Sequence, residues 1–135
     1  MTEHNALVTD THPLVFHVAG GRGRLSARAA AHFDACDRGE AILYVPVAVM
    51  WECCCLDYVG KIKLKRPPKV FFDTLFKSSA YQPLDLTPEQ VFLSHEFRPN
   101  RDPFDALICG AARSMELPLL TRDAAITDSG MDVVW

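Results

Sequence analysis

The sequence predicts an α/β fold of three layers, with helices on both faces of a central, mostly parallel sheet. Three observations point there. Short apolar runs of strand length alternate with longer stretches rich in helix formers. Several of those stretches open on a capping residue, twice followed by proline. The chain of 135 residues, 49% of them apolar, is long enough to bury one sizeable core. No repeat, low-complexity tract or Gly/Ser linker interrupts it, so a single domain over 1–135 is expected.

The first strand is Ala6-Leu7-Val8-Thr9, an apolar run ending at Asp10. A short helix over 11–19 follows, with Pro13 in its first turn, and Gly20-Gly21-Arg22-Gly23 breaks it. Ser26 caps a second helix over 27–38. The second strand is 42–45, and Pro46 argues against its long continuation. A helix over 48–59 is closed by Gly60. Pro67-Pro68 opens a helix to about 77, and a strand spans 81–85. Thr87-Pro88-Glu89-Gln90 is a helix start, with Thr87 as cap and Pro88 in the first position. Asp102-Pro103 opens the best-defined helix, running to about 115. The last strands are 117–121, with Asp123 just beyond, and 131–135.

A formal net charge of −3 argues against a protein that holds nucleic acid through its overall charge. It does not exclude a nuclease, because bound cations reverse the sign of an acidic site locally. The five cysteines, Cys36, Cys53-Cys54-Cys55 and Cys109, make a poor disulfide framework. They read as reduced, mostly buried thiols, hence as a cytoplasmic protein. The polar start, Met1 to Asn5, has no apolar stretch behind it, so no signal peptide is read. The longest uncharged run, 41–51, is too short to span a bilayer, which takes about 20 residues.

Sites in open parallel sheets lie outside the carboxyl ends of the strands. Asp10 and Asp123 each follow an apolar strand, Asp105 lies in a first helical turn, and Glu52 lies early in the helix after the second strand. Four acids from four distant segments therefore point toward one region. Phosphodiester hydrolysis needs such a set: Mg²⁺ and Mn²⁺ prefer oxygen ligands and polarise a phosphoryl oxygen. Other readings stay open. Asp102 reads as a cap, Asp105 serves equally well as a dipole-stabilising acid, and a salt bridge would also account for Glu52 amid its apolar neighbours.

The segments Leu7-Val8-Thr9-Asp10-Thr11-His12, Trp51-Glu52, Arg101-Asp102-Pro103-Phe104-Asp105-Ala106-Leu107-Ile108 and Leu120-Thr121-Arg122-Asp123-Ala124-Ala125-Ile126, with the closing Val133-Val134-Trp135, cover nearly the whole chain in order. Together they resemble a PIN domain of the VapC toxin type. The resemblance implies a PIN-like fold and a metal-dependent endoribonuclease, the toxin of a type II toxin–antitoxin pair. It implies Asp10, Glu52 and Asp105 as ligands of Mg²⁺ or Mn²⁺, Asp123 as a fourth acid, and assisting hydroxyls at Thr11 and Thr121. It also implies an RNA substrate, a small antitoxin as partner, and a homodimer. The triple cysteine after Glu52, and Asn100 where the subgroup often has His, depart from the pattern.

Arg101 and Arg122 flank the expected site, so with Thr11 and Thr121 they are candidate RNA contacts, or partners of the acids without substrate. Arg22, Arg24, Lys61, Lys63, Lys65 and Arg66 are further candidates, with a solvated surface run as the plain alternative for the lysines. Trp51, Val70, Phe71, Phe72, Leu75 and Phe76 recur at helical spacing and read as core, with an antitoxin groove as alternative. His12 reads as helix-terminal, and His4, His17, His32 and His95 show no ligand spacing. Two rival functions stay open to the sequence. An aspartyl-phosphate enzyme would need a second acid two residues after Asp10, where His12 stands. A non-catalytic PIN-like module for RNA or protein binding is the other.

Overall fold

The computed structural model describes residues 5–135, so all of the polar start but Asn5, His4 included, lies outside the described residues. The strands are β1 (Ala6–Thr9), β2 (Ile42–Pro46), β3 (Tyr81–Leu84), β4 (Leu119–Leu120) and β5 (Val133–Val134). The helices are α1 (Thr11–Val18), α2 (Ala27–Asp37), α3 (Val47–Tyr58), α4 (Pro68–Leu75), α5 (Pro88–Glu96), α6 (Pro103–Met115) and α7 (Ala124–Asp128). A 3₁₀ turn, Arg22–Arg24, lies inside the glycine-rich break.

The strands form one sheet in the order β3-β2-β1-β4-β5, every pairing among the described residues parallel. Parallel crossovers are right-handed as a rule, which puts connections running toward opposite edges of the sheet on opposite faces. The sheet is thereby covered on both sides, which explains why β1 and β2 read as apolar runs rather than as alternation. Leu7, Val8, Leu43 and Val45 are buried, as are Leu14, Phe33, Ile108 and Ile126 from the helices. Pro83, which has no N–H to donate, sits in the edge strand β3, and Pro46 ends β2 where α3 begins.

Local signals set the helix starts. Ser26 accepts from Ala29 N at 3.1 Å, and Thr87 from Gln90 N at 3.2 Å. Asp102 accepts from Phe104 N at 2.8 Å. The C-terminal strands are shorter than expected. Only Leu119 and Leu120 of 117–121 pair, and only Val133 and Val134 of 131–135, because their neighbours turn into flanking loops. α7 was not expected, being too short to show periodicity. It exists because Asp123 caps it, accepting from Ile126 N at 2.9 Å.

The apolar set read from α3 and α4 divides. Phe71, Phe72 and Leu75 are core, whereas Trp51 is 62% exposed and Val70 46%. Cys36, Cys53 and Cys109 are buried, Cys54 and Cys55 half-buried, and all five thiols are free. No helix among the described residues is long and apolar enough to cross a membrane.

In the strand order the chain leaves β1 for β2 and β3, then returns past β1 to β4. The crevice at such a reversal, between the carboxyl ends of β1 and β4, is the place where this architecture offers a ligand site.

Candidate active site at the strand reversal

Asp10 leaves β1 and caps α1, its Oδ1 accepting from Thr11 N at 2.8 Å. Its Oδ2 accepts from the Thr121 hydroxyl, 2.7 Å away at the end of β4. Backbone pairing supports this bridge, since Asp10 N donates to Leu120 O at 3.0 Å. Thr121 Oγ1 in turn accepts from Asp123 N at 3.0 Å. Asp123 uses Oδ1 as the α7 cap and leaves Oδ2 without a protein donor among the described residues.

The remaining acids come from α3 and α6. Glu52 accepts from the Thr11 hydroxyl at 2.5 Å. Asp102 at the start of α6 places Asp105 in the first turn, where the helix dipole favours an acid. Asn100 Nδ2 donates to Asp105 Oδ2 at 2.9 Å, while Asn100 Oδ1 accepts from Asp102 N at 2.8 Å. Asn100 thus orients Asp105, at the position the sequence singled out only as a departure from the resembled pattern, two residues before the cap.

A cleft of about 300 Å³ opens beside this arrangement, between Asp10, His12 and Phe16 on one side and Thr121, Arg122 and Asp123 on the other. Glu52 and Asp105 adjoin it closely enough to act on the others electrostatically. Burial raises the Asp10 pKa against Thr121, Thr11 N and the nearby His12, which all favour the ionised form, and the Asp123 charge adds a smaller push upward. Burial first, then the charges of Asp10, Asp102 and Asp105, raises that of Glu52. Burial first, then Asp102, Asp10 and Asp123, raises Asp105 to about 6. None of the ion pairs among the described residues involves Asp10, Glu52, Asp105 or Asp123.

The acids adjoin without closing into a cage: among the described residues no three His, Cys, Asp or Glu side chains form a ready-made metal cluster. Like charges repel, and each acid has turned to its own donor. The donor set is nonetheless all oxygen, in no ion pair among the described residues, and two of its members line the crevice. That fits a hard divalent cation of the Mg²⁺ kind, which takes one or two carboxylates and completes its shell with water and substrate oxygens.

The other candidates fall out differently. Thr11 and Thr121 are fully buried and their hydroxyls are committed to Glu52 and Asp10, so they are placed to hold the acids rather than to touch RNA. Arg101 and Arg122 are exposed and pair with none of the acids. Arg22 is committed to Asp34 at 3.1 Å and to His17. Lys61, Lys63 and Lys65 are exposed on the loop after α3, and Arg66 donates to Thr74 at 3.1 Å. His12 is exposed on the first turn of α1, at the cleft.

The raised pKa of Asp105 has a consequence for stability. Its carboxyl binds a proton more readily in the fold than in the unfolded chain, where the value is 3.8. Its contribution is therefore complete below that value and is lost as pH rises through about 6. Metal-free Asp105→Asn should be more stable than the parent at pH 7.5, by about 1–2 kcal/mol once solvent screening of a half-buried group is allowed for. The gain should shrink toward pH 4. His17, whose pKa burial lowers, titrates with the opposite sign, so variant and parent are compared by urea melts at each pH. A difference that does not change with pH would show that Asp105 is not held this way.

No protein-family model matches the sequence, and no curated protein is similar to it. Solved structures are similar over nearly the full length. A chain of VapBC2 from Rickettsia felis, solved with a DNA fragment from its promoter, has a TM-score of 0.65 at 16% identity, with 96% of each chain covered. A chain of FitAcB from Neisseria gonorrhoeae has 0.62 at 15%, again with 96% of each covered. A chain of a toxin–antitoxin complex from Klebsiella pneumoniae has 0.55 at 16%, covering 87% of this chain and 86% of that one. At such identities the likeness is one of fold, and the fold of this chain, α/β/α around a parallel five-stranded sheet, matches theirs over nearly its whole length.

Proposed function

We propose that the chain is a metal-dependent endoribonuclease, the toxin of a type II toxin–antitoxin pair. One observation carries the reading: Asp10 and Asp123 line the crevice at the strand reversal, Glu52 and Asp105 couple to them, none of the four is in an ion pair among the described residues, and burial and mutual repulsion raise the pKa of three of them. Such a set is costly unless something positive binds it.

Asp10, Glu52 and Asp105 would hold Mg²⁺ or Mn²⁺, with Asp123 as the fourth acid. Bound there, such an ion supplies Lewis-acid polarisation of a phosphoryl oxygen and favours ionisation of water. The protein supplies the positioning. Thr121 and Thr11 N fix both oxygens of Asp10, Thr11 fixes Glu52, and Asn100 fixes Asp105. Asp123 Oδ2, without a protein donor, orients the attacking water. The products are the two ends of one broken phosphorus–oxygen ester bond.

A small antitoxin and a second copy of the chain are the proposed partners. Their support is the similarity to a chain of a toxin–antitoxin complex and two exposed apolar stretches. One runs along α3 through Val47, Trp51 and Tyr58, the other along α5 through Val91 and Phe92. The proposed setting is the cytoplasm, in keeping with the free thiols.

The test is cleavage of a labelled total-RNA pool with Mn²⁺, with Mg²⁺ and with EDTA, beside Glu52→Gln. Metal-dependent cutting that Glu52→Gln lacks is expected. If folded, partner-free protein leaves every RNA intact under all three conditions, the acids are not a nuclease site and the non-catalytic module takes precedence.

A further inference from the structure

Phe16 of α1 carries a guanidinium over its ring from each of two distant segments. Arg24 Cζ, from the 3₁₀ turn, and Arg122 Cζ, from the loop after β4, each lie 5.4 Å from the ring centroid. The local backbone is built for this. Gly21 has φ +114°, and a Cβ there would stand 3.2 Å from Phe16 Cδ1, so glycine alone lets the turn carrying Arg24 lie down on the ring. Both arginines are exposed and neither pairs with an acid among the described residues, whereas Arg22 on the same turn is tied to Asp34. Two cations are thus gathered on one aromatic platform beside the acidic cleft, with no counter-ion among the described residues.

We infer that Arg24 and Arg122, braced on Phe16, grip the phosphodiester backbone of the RNA strand next to the phosphate presented to the acids. This rests on the ribonuclease reading and adds the grip that reading lacks. The chain has a net charge of −3 and its cleft is lined by Asp10 and Asp123, so attraction for a polyanion has to come from a local cationic feature. Guanidinium is the group whose planar fork matches two phosphate oxygens, and its place over Phe16 restricts its freedom beforehand. Arg122 is adjacent in sequence to Asp123 and shares its cleft, so a phosphate held there leaves the next one facing the acids.

The experiment is fluorescence-anisotropy binding of a labelled single-stranded RNA pool to full-length protein carrying Asp10→Asn, which keeps the RNA uncut, over a range of salt. Arg24→Ala and Arg122→Ala should each weaken binding about five- to tenfold near 0.1 M salt. Each should also flatten the slope of log K against log salt by about 0.7, the value for one single-strand phosphate contact. The double variant should lose about twice that slope. Phe16→Leu should weaken binding while leaving the slope unchanged, because the charges remain and only their bracing is lost. Equal affinity and slope in the double variant and its parent would overturn the grip, leave the nuclease reading standing, and turn the arginine pair toward a protein partner. Absence of RNA binding by the parent itself would overturn both.

Discussion

Asp10→Asn is expected to slow metal-dependent RNA cleavage by at least about a hundredfold, the scale of losing one preorganised electrostatic group, without lowering the melting temperature. The two halves have different causes. The negative charge at the head of the crevice is lost, and an amide is a poor ligand for a hard cation. Most of the hydrogen-bond frame survives. The amide oxygen can accept from Thr11 N, and the amide nitrogen can donate to Thr121 Oγ1, which already accepts from Asp123 N. The Thr121 hydroxyl proton then loses its acceptor, a cost set against relief from burying a charge that the protein leaves unpaired. Single-turnover cleavage in Mn²⁺ and a thermal melt of the same preparation measure both. A variant that cuts at the parental rate would remove Asp10 from the site, and one that unfolds would make it a structural residue first.

Gly110→Ala should have the largest effect on stability. Gly110 lies on the face of α6 that meets α5, and a Cβ there would stand 2.0 Å from Ser94 Oγ and 2.9 Å from the backbone oxygen of Gln90. The hydroxyl cannot move aside freely, because it donates to that same oxygen at 2.5 Å from a buried position. The two helices must therefore separate. Overpacking of this kind costs about 1–3 kcal/mol, and each kcal/mol lowers the melting temperature by about 3–5 °C in a chain of this length. Ser94→Ala in the same chain should restore part of the loss, since the worst contact is with the hydroxyl. A Gly110→Ala protein melting within a degree of the parent would mean that the two helices are not so closely apposed.

The parts of this architecture legible in the sequence are those written in neighbouring residues. Asp102-Pro103 and Thr87-Pro88 mark helix starts because capping acts over three residues, and β1 and β2 show themselves because both faces of the sheet are covered. α7 escaped because its only signal is Asp123, which also reads as a site acid. The bonds that hold the acids escaped for another reason. Thr11 reaches Glu52 across 41 positions and Thr121 reaches Asp10 across 111, and no local pattern reports a tertiary hydrogen bond. Periodicity likewise could not tell Trp51 from Phe72, since both lie on apolar stripes and only packing leaves the first in solvent.

The bond between Thr121 and Asp10 also orders events in time. Chains emerge from the ribosome amino end first, at about 5–20 residues per second. The first three strands in sequence, with Asp10 and Glu52, are therefore made before β4 exists. Until Leu119 and Leu120 dock beside β1, Asp10 has one of its two donors, and Asp123 has neither its place nor its helix. A nascent chain thus carries a half-built crevice, and whatever chemistry the acids perform begins only after the strand that closes it has been synthesised.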